Sequence, residues 1–215
     1  MGDIYLEVQG KPSTPSSGSS ILYFDSADLK QYLLDENGRC WGRSINAAIA
    51  SQGAGFSSDT YVTNSDMKIP AFGVQAKSGF IWKISASKTA AGTATPVYSV
   101  RIGSARTTAD TARLQLTGPA QTAVADIGTL YVMATVRSVG GSGVIQGTAW
   151  WNHRGTAAST TVGGVGFAND GSGHVEGASA GFDNSNLGGN YIGLSIDGGA
   201  SAAWTITQVR AEADW

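Results

Sequence analysis

The sequence predicts an all-β protein and, more narrowly, an antiparallel β-sandwich of jelly-roll type. One observation behind this is that apolar side chains recur at every second residue in many segments, which is the period of a half-buried strand. Another is composition, because 30 glycines and only 14% charged residues fit short strands joined by tight turns. From Ile45 onward about eight to ten such segments follow at even spacing. No self-similar period is present, which argues against a propeller or a repeat fibre.

The clearest alternation lies in residues 79–103, which the sequence predicts to be one β-hairpin with a dry and a wet side. The apolar face of its first strand carries Phe80, Trp82, Ile84 and Ala86. The apolar face of its second strand carries Tyr98, Val100 and Ile102, while Val97, Ser99 and Arg101 point to the wet side. Because a hairpin alone is marginal in water, a second sheet is needed to cover the apolar face.

The chain is predicted to have three parts: an N-terminal strand and linker at 1–20, a small β-meander at 21–43 and the sandwich at 44–215. The first boundary rests on residues 11–20, which are rich in Pro, Ser and Gly and bury nothing. Asn37 and Gly38 signal a tight turn within the meander. About twenty residues cannot form a core of their own, so we expect the meander to pack on the sandwich, on another subunit or on a different protein.

The remaining strands follow from the same alternation. In residues 44–51, Ser44 could cap a short helix, but the spacing of the apolar side chains favours a strand. Further strands are predicted at 61–62, 112–116, 130–136, 145–151, 192–196 and 204–206. The pair 130–136 and 145–151 is the longest and is joined by a glycine-rich turn. Residues 155–189 are rich in Gly and Ser and are predicted to be long loops with at most one weak strand.

Charge and cysteine content argue against several classes of protein. The net charge is −2 and none of the 14 basic residues forms a run, which disfavours nucleic-acid binding. The single cysteine, Cys40, cannot form an internal disulfide and is expected to be a small apolar strand residue. No apolar run has the length of a signal peptide or a membrane helix, so we expect cytoplasmic synthesis and folding without membrane insertion.

Several phrases of the sequence resemble a minor virion protein of tailed bacteriophages. They are GFSSDTYVTNSDMKIP, SKTAAGTATPVYSVRIG and TTADTARLQLTGPAQTAVADIGTLYV, and the resemblance covers most of residues 53–215. The phrase LYFDSADLKQYLLDENGRCWG is similar to segments that open many phage fibre and appendage proteins. This resemblance implies a trimeric β-sandwich on the virion surface, with other virion proteins such as the major capsid protein as partners. It does not distinguish the head from the tail.

Residues that could carry chemistry are few, and they form no convergent set. Gly177–Gly181 matches the G-x-S-x-G nucleophile elbow around Ser179, but no strand leads into it and no amphipathic helix follows. His153 and His174 are the only histidines and neither has a partner at i+4, so we predict no zinc site. The remaining candidates, for calcium, are Asp170, Asp183, Asn184 and Asn186. Their spacing fits ordinary turns better than a calcium loop. We therefore expect neither catalysis nor a bound cofactor.

Large aromatic and apolar side chains are the best candidates for a functional surface. Trp150 and Trp151 are adjacent on one strand and must face opposite ways, so one is core and the other is not. The outward ring can be covered by a loop, pack on another subunit or hold a sugar, and we favour the subunit contact. The candidate assembly contacts are Tyr5, Leu6, Tyr23, Phe24, Tyr32, Leu34, Trp150, Trp151 and Trp215. Those of the meander could equally pack under the sandwich.

These observations lead to one expected function and one alternative. We expect a non-enzymatic structural component of a bacteriophage virion that self-associates as a trimer and is attached through its N-terminal segment. Capsid decoration or a head fibre is favoured because one compact domain has no fibrous shaft. The alternative is a tail appendage, or a receptor- or glycan-binding module that acts through the loops of Gly155–Gly189.

Overall fold

The computed structural model describes residues 8–25, 31–35, 40–89, 92–155, 174–200 and 204–215. All regular secondary structure in these ranges is β, in sixteen strands that form three sheets. The strands that follow one another in a sheet run antiparallel, with one exception in the N-terminal sheet. This confirms the predicted all-β class. The described residues contain no helix with the length and apolarity needed to traverse a lipid bilayer.

The N-terminal sheet has four strands in sequence order. They are β1 (Val8–Gln9), β2 (Ile21–Asp25), β3 (Gln31–Leu34) and β4 (Cys40–Trp41). Strands β2, β3 and β4 pair antiparallel, as the predicted meander requires. Strand β1 pairs parallel to β2, with Val8 opposite Phe24. Parallel neighbours need a long connection, and residues 10–20 supply it, so the linker joins two strands of one sheet.

The second sheet has five strands in the order β11-β10-β15-β7, with β8 also paired to β15. Its strands are β7 (Thr60–Tyr61), β8 (Met67–Lys68), β10 (Val97–Gly103), β11 (Thr111–Thr117) and β15 (Tyr191–Asp197). All of its pairings are antiparallel.

The third and largest sheet has seven strands in the order β14-β13-β12-β9-β16-β5, with β6 also paired to β16. Its strands are β5 (Arg43–Ala48), β6 (Gln52–Gly55), β9 (Gly79–Lys88), β12 (Asp126–Ser138), β13 (Val144–Gly155), β14 (Val175–Ala178) and β16 (Trp204–Asp214). Strands β12 and β13 are the predicted long hairpin, and β14 is the weak strand expected among the loops.

The predicted hairpin at residues 79–103 is wrong in its pairing, although both of its strands exist. Strand β9 pairs with β12 and β16, whereas β10 pairs with β11 and β15 in the other large sheet. Residues 89–96 therefore carry the chain from one sheet to the other. The alternation shows which side chains are apolar but not which strand lies next to which. Because Phe80 and Tyr98 both point inward from opposite sheets, their apolar faces cover one another across the core.

The prediction that Arg101 points to water is also wrong. Its guanidinium is nearly buried on the far side of the five-stranded sheet, where residues 104–110 cover it. Arg101 Nε donates to Ser195 Oγ at 2.7 Å and Nη1 donates to the carbonyl of Thr108 at 2.9 Å, while Nη2 is paired with Asp59. A buried charge is tolerated when it is paired and hydrogen-bonded in this way. The arginine therefore fastens a surface loop to the sheet.

Strands wrap between the two large sheets in pairs. β9 leads into β10 and β11 leads into β12, so each pair places one strand in each sheet, and the two pairs run antiparallel to one another. β15 and β16 repeat the arrangement on the other side of β10 and β9. β5 and β6 then pair with β16, while β7 and β8 pair with β15.

Four tryptophans fill the space between the large sheets and at their ends, and each indole N–H has a hydrogen-bond acceptor. Trp151 Nε1 donates to Tyr98 Oη at 2.7 Å, which joins the two sheets directly. The other three bonds run to Ser65 O, Gln121 Oε1 and Ser44 Oγ, from Trp82, Trp204 and Trp215 respectively. Buried indoles usually find such partners because an unpaired N–H is costly.

The N-terminal sheet packs directly on the rest of the chain. Tyr32 is 1% exposed and meets Phe72 edge to face, with ring centroids 5.2 Å apart. Tyr23 lies beside Tyr32, and Trp215 N donates to the carbonyl of Gly42 just after β4. The sequence leaves open whether the meander packs on the sandwich, on another subunit or on a different protein. In the described residues, this face of the small sheet packs on the same chain.

Candidate functional site

The seven-stranded sheet has one face that points away from the core, and we call it the outer face. Across its centre runs one residue from each of four adjacent strands: Trp150, Tyr131, Lys83 and Arg210. The register sets Trp150 opposite Tyr131, Tyr131 opposite Lys83 and Lys83 opposite Arg210. We call these four residues the aromatic row.

The two rings of the aromatic row stand against each other. Trp150 and Tyr131 are stacked with centroids 5.1 Å apart and planes 6° from parallel. On the other side of Tyr131, Lys83 Nζ lies 5.6 Å from the ring centroid, within reach of a cation–π attraction. Both faces of the tyrosine ring are therefore occupied by neighbours in the row. What the row offers to a partner is ring edges and one free face of Trp150.

The charged half of the row is partly neutralised. Arg210 Nε forms an ion pair with Glu212 Oε1, two residues along the same strand. Beside this pair lies a shallow depression of about 310 Å³, lined by Ile81, Lys83, Tyr131, Arg210 and Glu212. Two cations line this depression. Arg210 is paired with a carboxylate, whereas the described contact of Lys83 is with the Tyr131 ring. The depression therefore presents an apolar floor with a slight positive bias.

Several large apolar side chains share the outer face with the aromatic row. Met133 and Ile127 lie on β12 on the same side as Tyr131 and are 37% and 54% exposed. Ile45 lies on β5 opposite Glu212 and is 57% exposed, and Ile49 just beyond that strand is 86% exposed. Polar side chains such as Thr129 and Asn152 lie among them. Single exposed apolar residues are ordinary, but several on one sheet face beside stacked rings are typical of a contact surface.

A second, smaller apolar surface lies on the solvent side of the N-terminal sheet. Leu22 and Leu33 face each other across β2 and β3 and are 47% and 40% exposed. Phe24 is on the same side of β2 and is half-buried. These residues lie opposite the face that Tyr23 and Tyr32 bury. The small sheet is thus attached to the body on one side and open on the other.

The predicted assembly contacts fall into three groups. Five are core residues with at most 4% of their surface exposed, so they have no area to offer a partner: Tyr23, Tyr32, Leu34, Trp151 and Trp215. Phe24 and Trp150 are partly exposed and stay available. Tyr5 and Leu6 lie outside the described residues. Of the two adjacent tryptophans, Trp151 is the core residue and Trp150 the outward one.

Ser179, His174 and Asn184, which were considered for catalysis or metal binding, have structural partners. Ser179 Oγ accepts a hydrogen bond from Ile145 N at 2.9 Å and continues the ladder beyond β14. His174 Nε2 lies 3.0 Å from Thr148 Oγ1. Asn184 is buried and holds the β12–β13 turn, accepting from Gly140 N at 2.8 Å and donating to Ser138 O at 2.9 Å. The His153 side chain and Asp170 lie outside what the structure describes.

Asp183 has a local role as well. Its carboxylate accepts hydrogen bonds from the hydroxyl and the backbone N–H of Ser185, and these bonds lower the pKa of Asp183. In the described ranges no three side chains of His, Cys, Asp or Glu gather closely enough to hold a metal ion.

Sequence reasoning missed three members of the aromatic row: Tyr131, Lys83 and Arg210. Alternation within a strand indicates which side of the sheet a residue faces, but it does not indicate which residue of the next strand lies beside it. Only the register of β9, β12, β13 and β16 brings them beside Trp150.

Comparison with known proteins found no relative of this chain. No protein-family model matches the chain, and no curated protein matches its sequence.

Proposed function

We propose that this chain is a non-enzymatic structural component of a bacteriophage virion, and that it self-associates through the outer face. The observation that carries self-association is the aromatic row together with the exposed isoleucine and methionine side chains of the same sheet face. The phrases that resemble a minor phage virion protein support the virion. The same resemblance favours a trimer, and closed symmetric assemblies are the usual form of soluble homo-oligomers.

A subunit contact explains the outer face better than a sugar platform does. A sugar ring stacks on a free aromatic face, but both faces of Tyr131 are taken by Trp150 and Lys83, so the row offers only the one face of Trp150 for such stacking. The most exposed large side chains of the outer face, Met133, Ile127 and Ile45, are apolar, and such groups offer no strong hydrogen bond to a sugar hydroxyl. A second copy of the chain can bury these groups against its own apolar surface. The outer face therefore favours a protein partner.

We further propose that the two large sheets form a jelly roll. Paired strands that cross between sheets and lie antiparallel to the next pair are the wrapping pattern of that fold. The units β9–β10, β11–β12 and β15–β16 follow this pattern. Sandwiches of this kind are used in viral capsid and lectin domains alike, so the fold supports the proposal without deciding it.

Attachment to the particle is assigned to the N-terminal segment. The open side of the small sheet, with Leu22, Leu33 and Phe24, is the described surface nearest to it and fits an apolar patch on a neighbouring virion protein such as the major capsid protein. A head position, as capsid decoration or head fibre, is proposed over a tail appendage because the described strands form one body without a shaft. Glycan binding by the loops of Gly155–Gly189 stays the alternative.

Charge placed on the outer face tests self-association. Met133→Lys puts an ammonium group beside the aromatic row, whereas Val139→Lys puts the same group in the β12–β13 turn. The two side chains are similarly exposed, at 37% and 44%. We expect Met133→Lys to lower the mass of the assembly in light scattering and Val139→Lys to leave it unchanged, because only the former desolvates a charge on assembly. Equal masses for both variants and the wild type would remove the outer face from the interface.

Deleting residues 1–20 tests attachment. This change removes β1 and its connection but leaves the antiparallel strands β2, β3 and β4. We expect a folded oligomer that no longer joins phage particles, measured as loss of the chain from purified virions. Incorporation at the wild-type level would contradict the N-terminal attachment.

A further inference from the structure

A cleft lies at the opposite end of the body from the aromatic row's tryptophan, between the β5–β6 connection and the segment that contains β7. Its volume is about 560 Å³, within the range of small-molecule sites. One wall is formed by Ala48, Ala50, Ser51, Gln52 and Gly53, and the other by Phe56, Thr60, Tyr61, Thr63 and Asn64. No residue named in the outer face or in the sequence-predicted loops contributes to it.

The cleft has a neutral lining. Those of its lining residues that the structure describes carry no charge: they are Ala, Gly, Ser, Thr, Asn, Gln, Phe and Tyr. Recognition of an anion or cation by a direct ion pair is therefore not what this surface provides. The hydroxyls of Ser51 and Thr63 make no hydrogen bond to another described residue, and Thr60 Oγ1 donates only to Ser58 O. These oxygens are free to bond a ligand.

An apolar side accompanies the polar groups. The ring of Tyr61 is half-buried along the wall, and its hydroxyl end packs over Gly193, where a Cβ would collide with it. A ligand in the cleft would therefore contact the carbon atoms of the Tyr61 ring and not its hydroxyl group. Ala48 and Ala50 extend this apolar strip. A strip of carbon atoms edged by hydroxyl and amide groups matches a molecule whose C–H and O–H groups alternate.

The cleft is built before any ligand arrives. Gln52 reaches across it and forms two hydrogen bonds of 2.9 Å with the backbone N–H and C=O of Thr63. Asn64, on the same wall, has a left-handed backbone with φ of 61°. Phe56 at the base also has a positive φ, of 50°, which is uncommon for a bulky residue and is seen mostly where surrounding structure imposes it. Such side-chain clamps limit the entropy lost on binding.

We propose that this cleft binds a small neutral saccharide, of one or two sugar rings. A purely apolar ligand would desolvate the hydroxyls of Ser51 and Thr63 without replacing their bonds to water, which is costly. A charged ligand would find no counter-charge in the lining. A neutral sugar satisfies both conditions, since its hydroxyls bond the rim and its C–H face covers the Tyr61 ring. The site belongs to the single chain, so it stands or falls independently of assembly on a virion.

Saturation-transfer NMR on the full chain tests the proposal. The probes are glucose, galactose, mannose and N-acetylglucosamine, with glucuronate as the charged comparison. Gly53→Leu adds a large side chain to a residue that lines the cleft, and a Cβ at Gly53 meets no atom within 4 Å, so the fold accepts it. Gly141→Leu is the matched control, since Gly141 is equally unobstructed and lies in the β12–β13 turn. Thr63→Val is a second variant that removes one hydroxyl and keeps the shape and the backbone bonds to Gln52.

At least one neutral sugar is expected to bind the wild type and Gly141→Leu, and glucuronate is expected to bind about tenfold more weakly or not at all. Gly53→Leu should abolish the signal, and Thr63→Val should weaken binding about two- to tenfold, the value of one hydrogen bond. Absence of a signal with every neutral probe overturns the proposal. So does a signal that survives Gly53→Leu, or one that Gly141→Leu removes equally.

Discussion

Trp150 and Trp151 are neighbours on one strand, and their surroundings differ completely. Trp151 is 4% exposed, packs edge to face on Trp204 and donates its N–H to Tyr98 of the opposite sheet. Trp150 stacks on Tyr131 at the surface, on a sheet face that also carries large apolar side chains more than a third exposed. The inner face of the sheet is thus completed within the chain. The outer face also carries aromatic and large apolar side chains, and we propose that a second copy of the chain covers them.

The largest effect that separates the two faces is on folding stability. Trp151→Ala leaves a cavity between the sheets and removes the donor to Tyr98, so we expect it to lower the free energy of unfolding by about 3–5 kcal/mol. Trp150→Ala loses mainly one stacked ring and should cost about 0.5–1.5 kcal/mol in the isolated chain. Denaturant unfolding at a concentration where the chain is not associated measures both. Equal losses would mean that the two faces do not differ as described.

A smaller effect is expected from the hydrogen bond between the sheets. Tyr98→Phe removes the acceptor of the Trp151 N–H and leaves that donor buried, which should cost about 1–3 kcal/mol. Tyr131→Phe removes a phenol of the outer face and is the matched control, with a change within about 0.5 kcal/mol. Both values come from urea titrations under one condition. A Tyr98→Phe variant as stable as its control would argue against the inter-sheet bond.

The smallest effect appears only in alkaline solution. Burial raises the pKa of Tyr98 above its ordinary value of 10.0. Burial, and next the charge of Asp66, also raise the pKa of Tyr61. The folded chain therefore keeps both protons where the unfolded chain loses them, so stability is constant below the ordinary tyrosine pKa and falls as the pH rises above it.

Unfolding midpoints at about pH 8 and about pH 11 test this directly. The wild type should lose stability between the two values, and Tyr98→Phe should lose less because one of the two buried phenols is gone. Tyr131→Phe should follow the wild type. A wild-type midpoint that is the same at both pH values would show that these phenols titrate in the folded protein as they do in water.

How much of this the sequence could predict depends on the range of the interaction. The strands of residues 79–88, 97–103, 126–138 and 144–155 follow from local alternation, and the structure contains all four. Their pairing is a contact between distant residues, and the predicted β9–β10 hairpin failed at that step. An eight-residue connection can close a hairpin or cross to a second sheet, and composition does not separate the two.

The candidate site shows the same limit. Adjacency forces Trp150 and Trp151 to opposite faces, and alternation places Trp151 with Ile145 and Ala149, which share the buried face with it. Alternation does not show that Tyr131 and Lys83 lie in one row with Trp150. Arg101 was expected to face water and is instead buried, because the polar side of a strand can be covered by another part of the chain. The loop of residues 104–110, which covers it, has no apolar pattern that could announce its position.

The mass of the wild-type chain in solution tests the central claim most directly. Light scattering on the purified full chain should give a multiple of the 22.0 kDa chain mass, and a threefold multiple for the proposed trimer. The summed tryptophan fluorescence should then shift towards that of buried indoles as the concentration rises through assembly, because Trp150 becomes covered, and Trp150→Phe should lack this shift. A mass that stays at one chain over the whole concentration range would contradict the claim that a second copy covers the outer face.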